Sequence, residues 1–305
     1  MRTGRLVRVV RVIETSDVED ARLDDFRDLT RADRRPDRPG GRGLVLAEGT
    51  VVVRRLVGSP FPIRGLLGVR RKIDELLPEL STVDAPAYVV SPGLMAEVVG
   101  FHLNRGVLAA ADRVAAPPAA TLLDALDRPD AVARPGTLAR PDALGRPDAL
   151  GRAGAVVAVL EGVNDHENLG SLFRNAAALG VDAVLLGARC ADPMYRRSVR
   201  VSMGHVLRVP FGVLPCWPHE LSVLRDRGFR LVALTPAAGA VPLPAAGLDR
   251  CERVAFLLGA EGSGLSPAAL AAADQLVAVP MASGVDSLNV ATAAAIAFYA
   301  TTNGR

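Results

Sequence analysis

The chain has 305 residues, 50% hydrophobic but only 4% aromatic, so it is long enough for two domains with cores built mainly from Ala, Val and Leu. No apolar run approaches the roughly 18 residues that a membrane helix requires, and arginines break up the N-terminal MRTGRLVRVVRVIE, which makes it a poor signal peptide. The formal net charge of +3 is mild and its excess lies in residues 1–116; with Lys72 the single lysine, arginine abundance is discounted as a sign of nucleic acid.

Residues 1–42 are strongly charged, and RADRRPDRPGGRG reads as a flexible approach to the first ordered strand. GLVLAEGTVVVRRLV (43–57) predicts a short strand, a turn at Glu48-Gly49 and an amphipathic helix. IRGLLGV, AYVVS and RGVLAAA are further strand candidates, interleaved with the helical RRKIDELL and PGLMAEVVG. Together these predict a small α/β domain within residues 1–116. Residues 117–152 change character: RPDAVARPGTLARPDALGRPDALGR repeats a Pro-Asp-Ala unit, with proline too frequent for helix or strand, and predicts a semi-extended linker.

In residues 153–305, AVVAVLEGV, DAVLLG, FRLVALTP, RVAFLLGA and QLVAVPM read as strands. They alternate with the helical ENLGSLFRNAAALG, ELSVLRDRG, SPAALAAAD and SLNVATAAAIAFYATT, and RRSVRVSMGHVLRVPF adds a short helix leading into a strand. This rhythm predicts a parallel sheet covered on both faces. The terminal helix carries Val290, Ala294, Ile296 and Phe298, more apolar than a surface helix tolerates, and predicts a homodimer through this domain. Cys190, Cys216 and Cys251 stand far apart without C-x-x-C spacing, and no ligand spacing joins His166 and His205; this argues against a metal and for a reducing cytoplasm.

Three loops follow strands of the second domain. NDHENLGSLFRNAAALG (164–180) places Asn168 and Gly170 near a helix start, where unpaired N–H groups and the dipole attract anions, with Arg174 one turn further in. Taken alone, these residues are equally an Asn cap and a surface arginine. LLGAEGSGLS (257–266) holds three glycines and Glu261. It lacks the Lys-Ser or Lys-Thr of a P-loop and reverses the dinucleotide fingerprint, and by itself it is equally a tight turn. VPMASGVDSLNVATAAAIAFY (279–299) sets Ser287 and Asn289 at the mouth of an apolar helix, where one of them is a candidate cap.

In this order, N-x-G-x-x-x-R, L-G-x-E-G-x-G-L and P-M-x-x-x-x-x-S-L-N-V resemble the SpoU/TrmH family of SPOUT RNA methyltransferases across essentially all of 153–305. VRVSMGHVLRVPF (199–211) is similar to the family segment between the first two motifs. VLAEGTVVVRRLV and FHLNRGVLAA resemble the L7Ae/L30e-like substrate-binding domain that many members carry. The resemblance implies a trefoil-knot α/β domain with a parallel sheet behind a small α/β L30e-like domain. It also implies S-adenosylmethionine (SAM) held among the three loops by Thr235, Gly259, Val279 and Leu288, largely through backbone, with Met281 and Ser287 as neighbours. The glycines would let the backbone close on that cofactor.

The implied reaction is methyl transfer to a ribose 2′-OH of ribosomal or transfer RNA, without a metal. The resemblance makes Arg174 the essential arginine, gives Asn168 the loop and substrate, has Glu261 orient donors, and sets Ser287 and Asn289 along the methyl-transfer site. It further implies a homodimer. A base methyltransferase, a catalytically silent RNA-binding relative and a resistance methylase acting on large-subunit RNA share this architecture. A dinucleotide oxidoreductase is excluded, because no G-x-G-x-x-G opens a first βα turn.

Overall fold

A computed structural model describes residues 10–29, 43–126 and 154–302. The chain divides into two compact units, one of Met1–Val114 with Met194–Leu207, the other of Ala115–Pro193 with Arg208–Arg305.

The first unit contains β1 (Arg11–Glu14), β2 (Leu44–Glu48), α1 (Thr50–Val57), β3 (Ile63–Gly68), α2 (Arg70–Leu76), β4 (Pro86–Val89), α3 (Pro92–Val99) and β5 (Val107–Asp112). Its sheet runs β1-β4-β3-β5-β2, with β1, β4 and β3 parallel and β5 antiparallel to both β3 and β2. The Glu48-Gly49 turn forms as expected, with Gly49 at φ 88 opening α1.

The N-terminal lead departs from the flexible reading. Residues 11–14 add an edge strand parallel to β4, and Ala21–Phe26 form a 3₁₀ turn capped by the Asp20 side chain. Leu23, Phe26 and Leu29 fall at a spacing of three and are fully buried against Leu44, Leu46 and Leu67. The strand escaped notice because three of its four residues face solvent and two of those are charged. The rest of the proposed lead, including RADRRPDRPGG, lies outside the described residues.

The chain continues through α4 (Ala119–Leu126), β6 (Ala155–Leu160), α5 (His166–Leu179), β7 (Ala183–Leu186), α6 (Arg196–Val201) and β8 (Phe211–Val213). There follow α7 (Ser222–Arg225), β9 (Arg230–Leu234), β10 (Val241–Pro242), β11 (Arg253–Leu258), α8 (Pro267–Ala271), β12 (Gln275–Ala278) and α9 (Val290–Thr302). Helix α6 belongs to the first unit, where Arg196 and Arg200 reach the buried carboxylate of Glu48 at 3.3 and 3.7 Å.

The second unit is built on an all-parallel seven-stranded sheet in the order β10-β12-β9-β11-β6-β7-β8. Its central strands β6 and β11 are almost wholly buried and lack hydrophobic alternation, as expected for strands covered on both faces. On one face Phe256 meets Phe298 of α9, and Phe173 of α5 meets Phe211 edge-on at 5.8 Å. On the other face lies a cluster of Leu122, Leu123, Leu185, Leu221, Leu231 and Leu257.

Leu122 and Leu123 belong to α4, so residues 119–126 are helix and not the extended linker predicted for them. The prolines of the repeat begin only at Pro129, and AATLLDAL before them is a good helix-former. Pro118 pairs with Val213, and Asp124 holds Arg227 at 2.6 Å. The Pro-Asp-Ala repeat itself lies outside the described residues. Among the described residues no helix is long and apolar enough to cross a membrane. Because α4 is part of this core, Leu123→Ala is expected to destabilise the second unit by about 2–5 kcal/mol. Denaturant unfolding of the full chain measures this, and a loss no larger than an exposed substitution gives would return α4 to the linker.

Candidate active site

The three motif loops leave β6, β11 and β12 at the carboxyl end of the parallel sheet, with β9 between the last two; this is the end at which open α/β sheets bind ligands. The first follows β6. Asp165, not Asn168, caps α5: its Oδ1 accepts from Glu167 N at 2.9 Å and Asn168 N at 2.8 Å. That leaves the Asn168 side chain free for another role, and its Oδ1 accepts from Asn289 Nδ2 at 2.7 Å.

The same Asn289 nitrogen donates to Glu261 Oε1 at 3.0 Å. Its Oδ1 meanwhile accepts from Ala291 N at 3.0 Å and Thr292 N at 3.1 Å, which caps α9. One carboxamide therefore starts a helix and joins the first loop to the second. A further bond, Asn175 Nδ2 to Ala291 O at 2.8 Å, staples α5 to the same end of α9.

The glycine loop after β11 folds on itself. Ala260 bridges Gly264, whose N donates to Ala260 O at 3.0 Å. A Cβ on Gly259 would stand 2.2 Å from the Gly264 carbonyl carbon, so only glycine fits there. Gly262 and Gly264 have φ of 81° and 64°, which side chains avoid. The loop's own turn already requires all three glycines.

Beside the three joined side chains lies a cleft of ≈ 190 Å³, lined among others by Gly162, Asp165, Asn168, Arg189, Glu261 and Ser263. Thr235 follows β9, Gly259 follows β11 and Val279 comes just after β12, and these three strands are neighbours. Thr235 N donates to Val277 O at 2.9 Å, which joins the first and third of these strand ends. Leu288 is 37% exposed and Val285 49%, an uncovered apolar surface on the third loop. Met281 is half-buried. None of Thr235, Val279, Met281 or Leu288 lines the cleft.

Of the five residues assigned to catalysis, the structure brings Asn168, Glu261 and Asn289 together. Ser287 is exposed and makes no hydrogen bond to a described residue. Arg174 is also exposed, has no hydrogen bond or ion pair among the described residues, and does not line the cleft. Six residues beyond Asn168, it lies about 120° around the helix from it.

Sequence reasoning missed Asp165, Glu161, Trp217 and Arg189. Asp165 carried the usual signal of a cap, an acidic residue just before the apolar periodicity. Arg189 carried none. It lines the cleft at φ 59, in the left-handed region that non-glycine residues seldom occupy. Its segment is pinned to the first loop by Gly187 N to Leu160 O, Gly162 N to Ala188 O and Ala191 N to Val163 O, all within 2.9 Å. The neighbouring Cys190 thiol donates to Leu160 O, and burial pushes its pKa up, which disfavours the thiolate.

The SpoU rRNA Methylase family model matches residues 155–299. The chain is 52% identical to the uncharacterized tRNA/rRNA methyltransferase Rv0881 of Mycobacterium tuberculosis over 290 residues, 94% of this chain and 91% of that one. It is 33% identical over 145 residues to the 23S rRNA (guanosine-2′-O-)-methyltransferase RlmB of Bordetella pertussis, covering 48% of this chain and 58% of that protein. An AdoMet-bound rRNA methyltransferase from Sinorhizobium meliloti superposes with a TM-score of 0.70 at 22% identity, over 96% of this chain and 98% of the other.

Asn289 separates capping from joining by mutation. Asn289→Ala loses both and is expected to cost about 1–2 kcal/mol in the cap alone. Asn289→Asp keeps a good cap but sets a carboxylate against Glu261 and the Asn168 oxygen, so the junction opens. Thermal unfolding and the Asn168 side-chain amide resonances in the two variants report these outcomes. Unperturbed Asn168 resonances in Asn289→Asp would count against the junction.

Proposed function

The chain belongs to the SpoU rRNA methylase family, with the trefoil-knot parallel domain of SPOUT enzymes, and we propose that it transfers a methyl group from SAM to a ribose 2′-OH of ribosomal or transfer RNA. The observation that carries this reading is the junction of Asn168, Glu261 and Asn289, one residue from each of the three motifs.

The three strand ends suit the cofactor. Backbone at Thr235, Gly259 and Val279 would hold it, and Met281 and the uncovered side chain of Leu288 offer apolar surface for its adenine. Bound SAM supplies an electrophilic methyl group on a sulfonium that leaves readily. The protein's part is therefore alignment and handling of charge at the 2′-oxygen.

Arg174 is a poor base because its guanidinium stays protonated. Its exposed fork, without a partner among the described residues, is suited to gripping the RNA phosphate and stabilising the developing alkoxide. Arg189, held at the rim of the cleft, supplies a second cation for the RNA backbone. Asn168 and Asn289 fix the two loops against each other, Glu261 orients the Asn289 amide, and Ser287 borders the methyl-transfer site.

The first unit, which resembles an L7Ae/L30e-like domain, would bind the RNA substrate, helped by the basic excess of residues 1–116. We place the enzyme in the cytoplasm, where ribosomal and transfer RNA and reduced thiols are found. It would act as a homodimer through α9. Ala294 and Phe298 are buried within the unit, so they are not the pairing surface; Ile296, 38% exposed, and Tyr299, 62% exposed, remain for it. Sedimentation at micromolar concentration should give a dimer that Tyr299→Arg weakens, and a fully active monomer would remove this part of the reading.

Arg174→Ala is expected to lower single-turnover methylation by about 3–4 kcal/mol, a factor of hundreds, with SAM affinity nearly unchanged. Arg174→Lys recovers little, because an ammonium lacks the planar fork. In the same assay Arg189→Gly, which relieves the backbone, should raise the KM for RNA without loss of thermal stability. Near-normal rates in Arg174→Ala, or a matching collapse of SAM affinity, would sink the arginine's assignment.

A further inference from the structure

Behind the cleft lies a buried acid that none of these roles uses. Glu161, at the end of β6, is 2% exposed. Its Oε1 accepts from Trp217 Nε1 at 2.7 Å and its Oε2 accepts from Ser266 N at 2.8 Å. Its own N donates to Leu258 O at 2.9 Å. Glu161 thus bonds both ends of the glycine loop, Leu258 where it leaves β11 and Ser266 where it enters α8. Ser266 in turn caps α8 by accepting from Ala269 N at 3.2 Å. Trp217 is held as closely: a Cβ on Gly187 would stand 2.4 Å from its Cε3, and it packs on the core cluster of Leu185, Leu214 and Leu221.

We propose that Glu161 is a positioning residue that clamps the glycine loop to Trp217, so that the state of the cofactor loop is read out by the indole. The chemistry of the pair of donors suits an acid at this point. An indole N–H and a peptide N–H both need an acceptor, and a carboxylate gives each its own oxygen with no donor to turn against either. Burying a carboxylate is costly compared with an apolar contact of the same size, and its two directional bonds offset that cost by holding one arrangement here. The arrangement it fixes is that of Gly259 and Glu261, which belong to the loop it spans. Glu161 does not itself line the cleft, so it acts through the loop. Trp217 is the only tryptophan in the chain, which makes its emission a reporter of this one place.

The inference rests on the glycine loop being the cofactor loop, and the test separates the two. SAM is titrated into the full-length protein by calorimetry and by tryptophan emission. Wild type should show a saturable emission change with the calorimetric midpoint. Glu161→Gln offers one acceptor and turns its amide N–H groups against a donor. It should bind SAM about tenfold more weakly, raising the KM for SAM while kcat at saturation stays within about twofold. Removing the indole donor as well, in Glu161→Gln with Trp217→Phe, frees the Gln oxygen for Ser266 N. Affinity should then recover to within about threefold of wild type.

Wild-type affinity in Glu161→Gln, a silent tryptophan during calorimetric saturation, or a double variant no better than Glu161→Gln would each overturn the clamp and leave the methyltransferase reading intact. If Glu161→Gln does not fold, Glu161→Asp decides: its shorter side chain cannot reach both Trp217 Nε1 and Ser266 N, so weaker SAM binding supports the clamp and unchanged binding overturns it. A wild-type protein that takes up no SAM would overturn the methyltransferase reading, and the clamp with it.

Discussion

Helices α5 and α9 begin at the same end of the parallel sheet, and each begins with backbone N–H groups that have no partner inside the helix. The chain satisfies the two ends in different ways. At α5 the cap is Asp165, a charged acceptor with nothing to donate. At α9 it is Asn289, whose oxygen accepts from the helix while its nitrogen is left to donate outward. That nitrogen reaches Asn168 and Glu261, so helix initiation and loop assembly are fixed by one side chain. An aspartate or serine would cap α9 as well but could not join three loops, because neither carries an NH₂ group. The seam extends along α5: Asn168 and Asn175, seven residues apart and hence on one face, both bond the start of α9.

The glycine loop between them meets a related demand. It must turn back within five residues, which needs glycine at 259, 262 and 264, and glycine brings the greatest loss of conformational freedom on ordering. Such a loop needs anchors outside itself. It has Asn289 holding Glu261 on one side and Glu161 holding Ser266 on the other. Both anchors are polar and directional, so they set the loop's orientation as well as its stability.

The parallel sheet of the second unit was legible from the alternation of apolar runs with helical segments, since buried parallel strands need no finer pattern than continuous Val, Leu and Ala. The Asn168, Glu261 and Asn289 trio was legible only through motif order. Nothing local in the sequence distinguishes Asn289 as a cap from Asn289 as a bridge, because both uses employ different atoms of the same group. Strand β1 was hidden by its solvent-facing charges, and α4 by the proline-rich repeat that follows it. Glu161 and Trp217 are 56 residues apart, and a contact of that separation leaves no periodicity to find. Arg189 is a backbone fact: its left-handed conformation depends on the three hydrogen bonds that pin its segment, none of which a side-chain pattern records.

The position of Arg174 follows from the same seam. With Asn168 and Asn175 committed to α9, and Leu169, Leu172, Phe173 and Ala176 buried, the face of α5 that carries Arg174 is left to solvent. An arginine inside the junction would meet Glu261 and be neutralised before any substrate arrived. On the exposed face it has no hydrogen bond or ion pair among the described residues, and water screens it at little cost. A group in that state is suited to a large, anionic, external partner whose arrival displaces the water and strengthens the contact. The junction and the exposed guanidinium are thus complementary: the first fixes the two loops against each other, and the second stays on the solvent-facing side of α5.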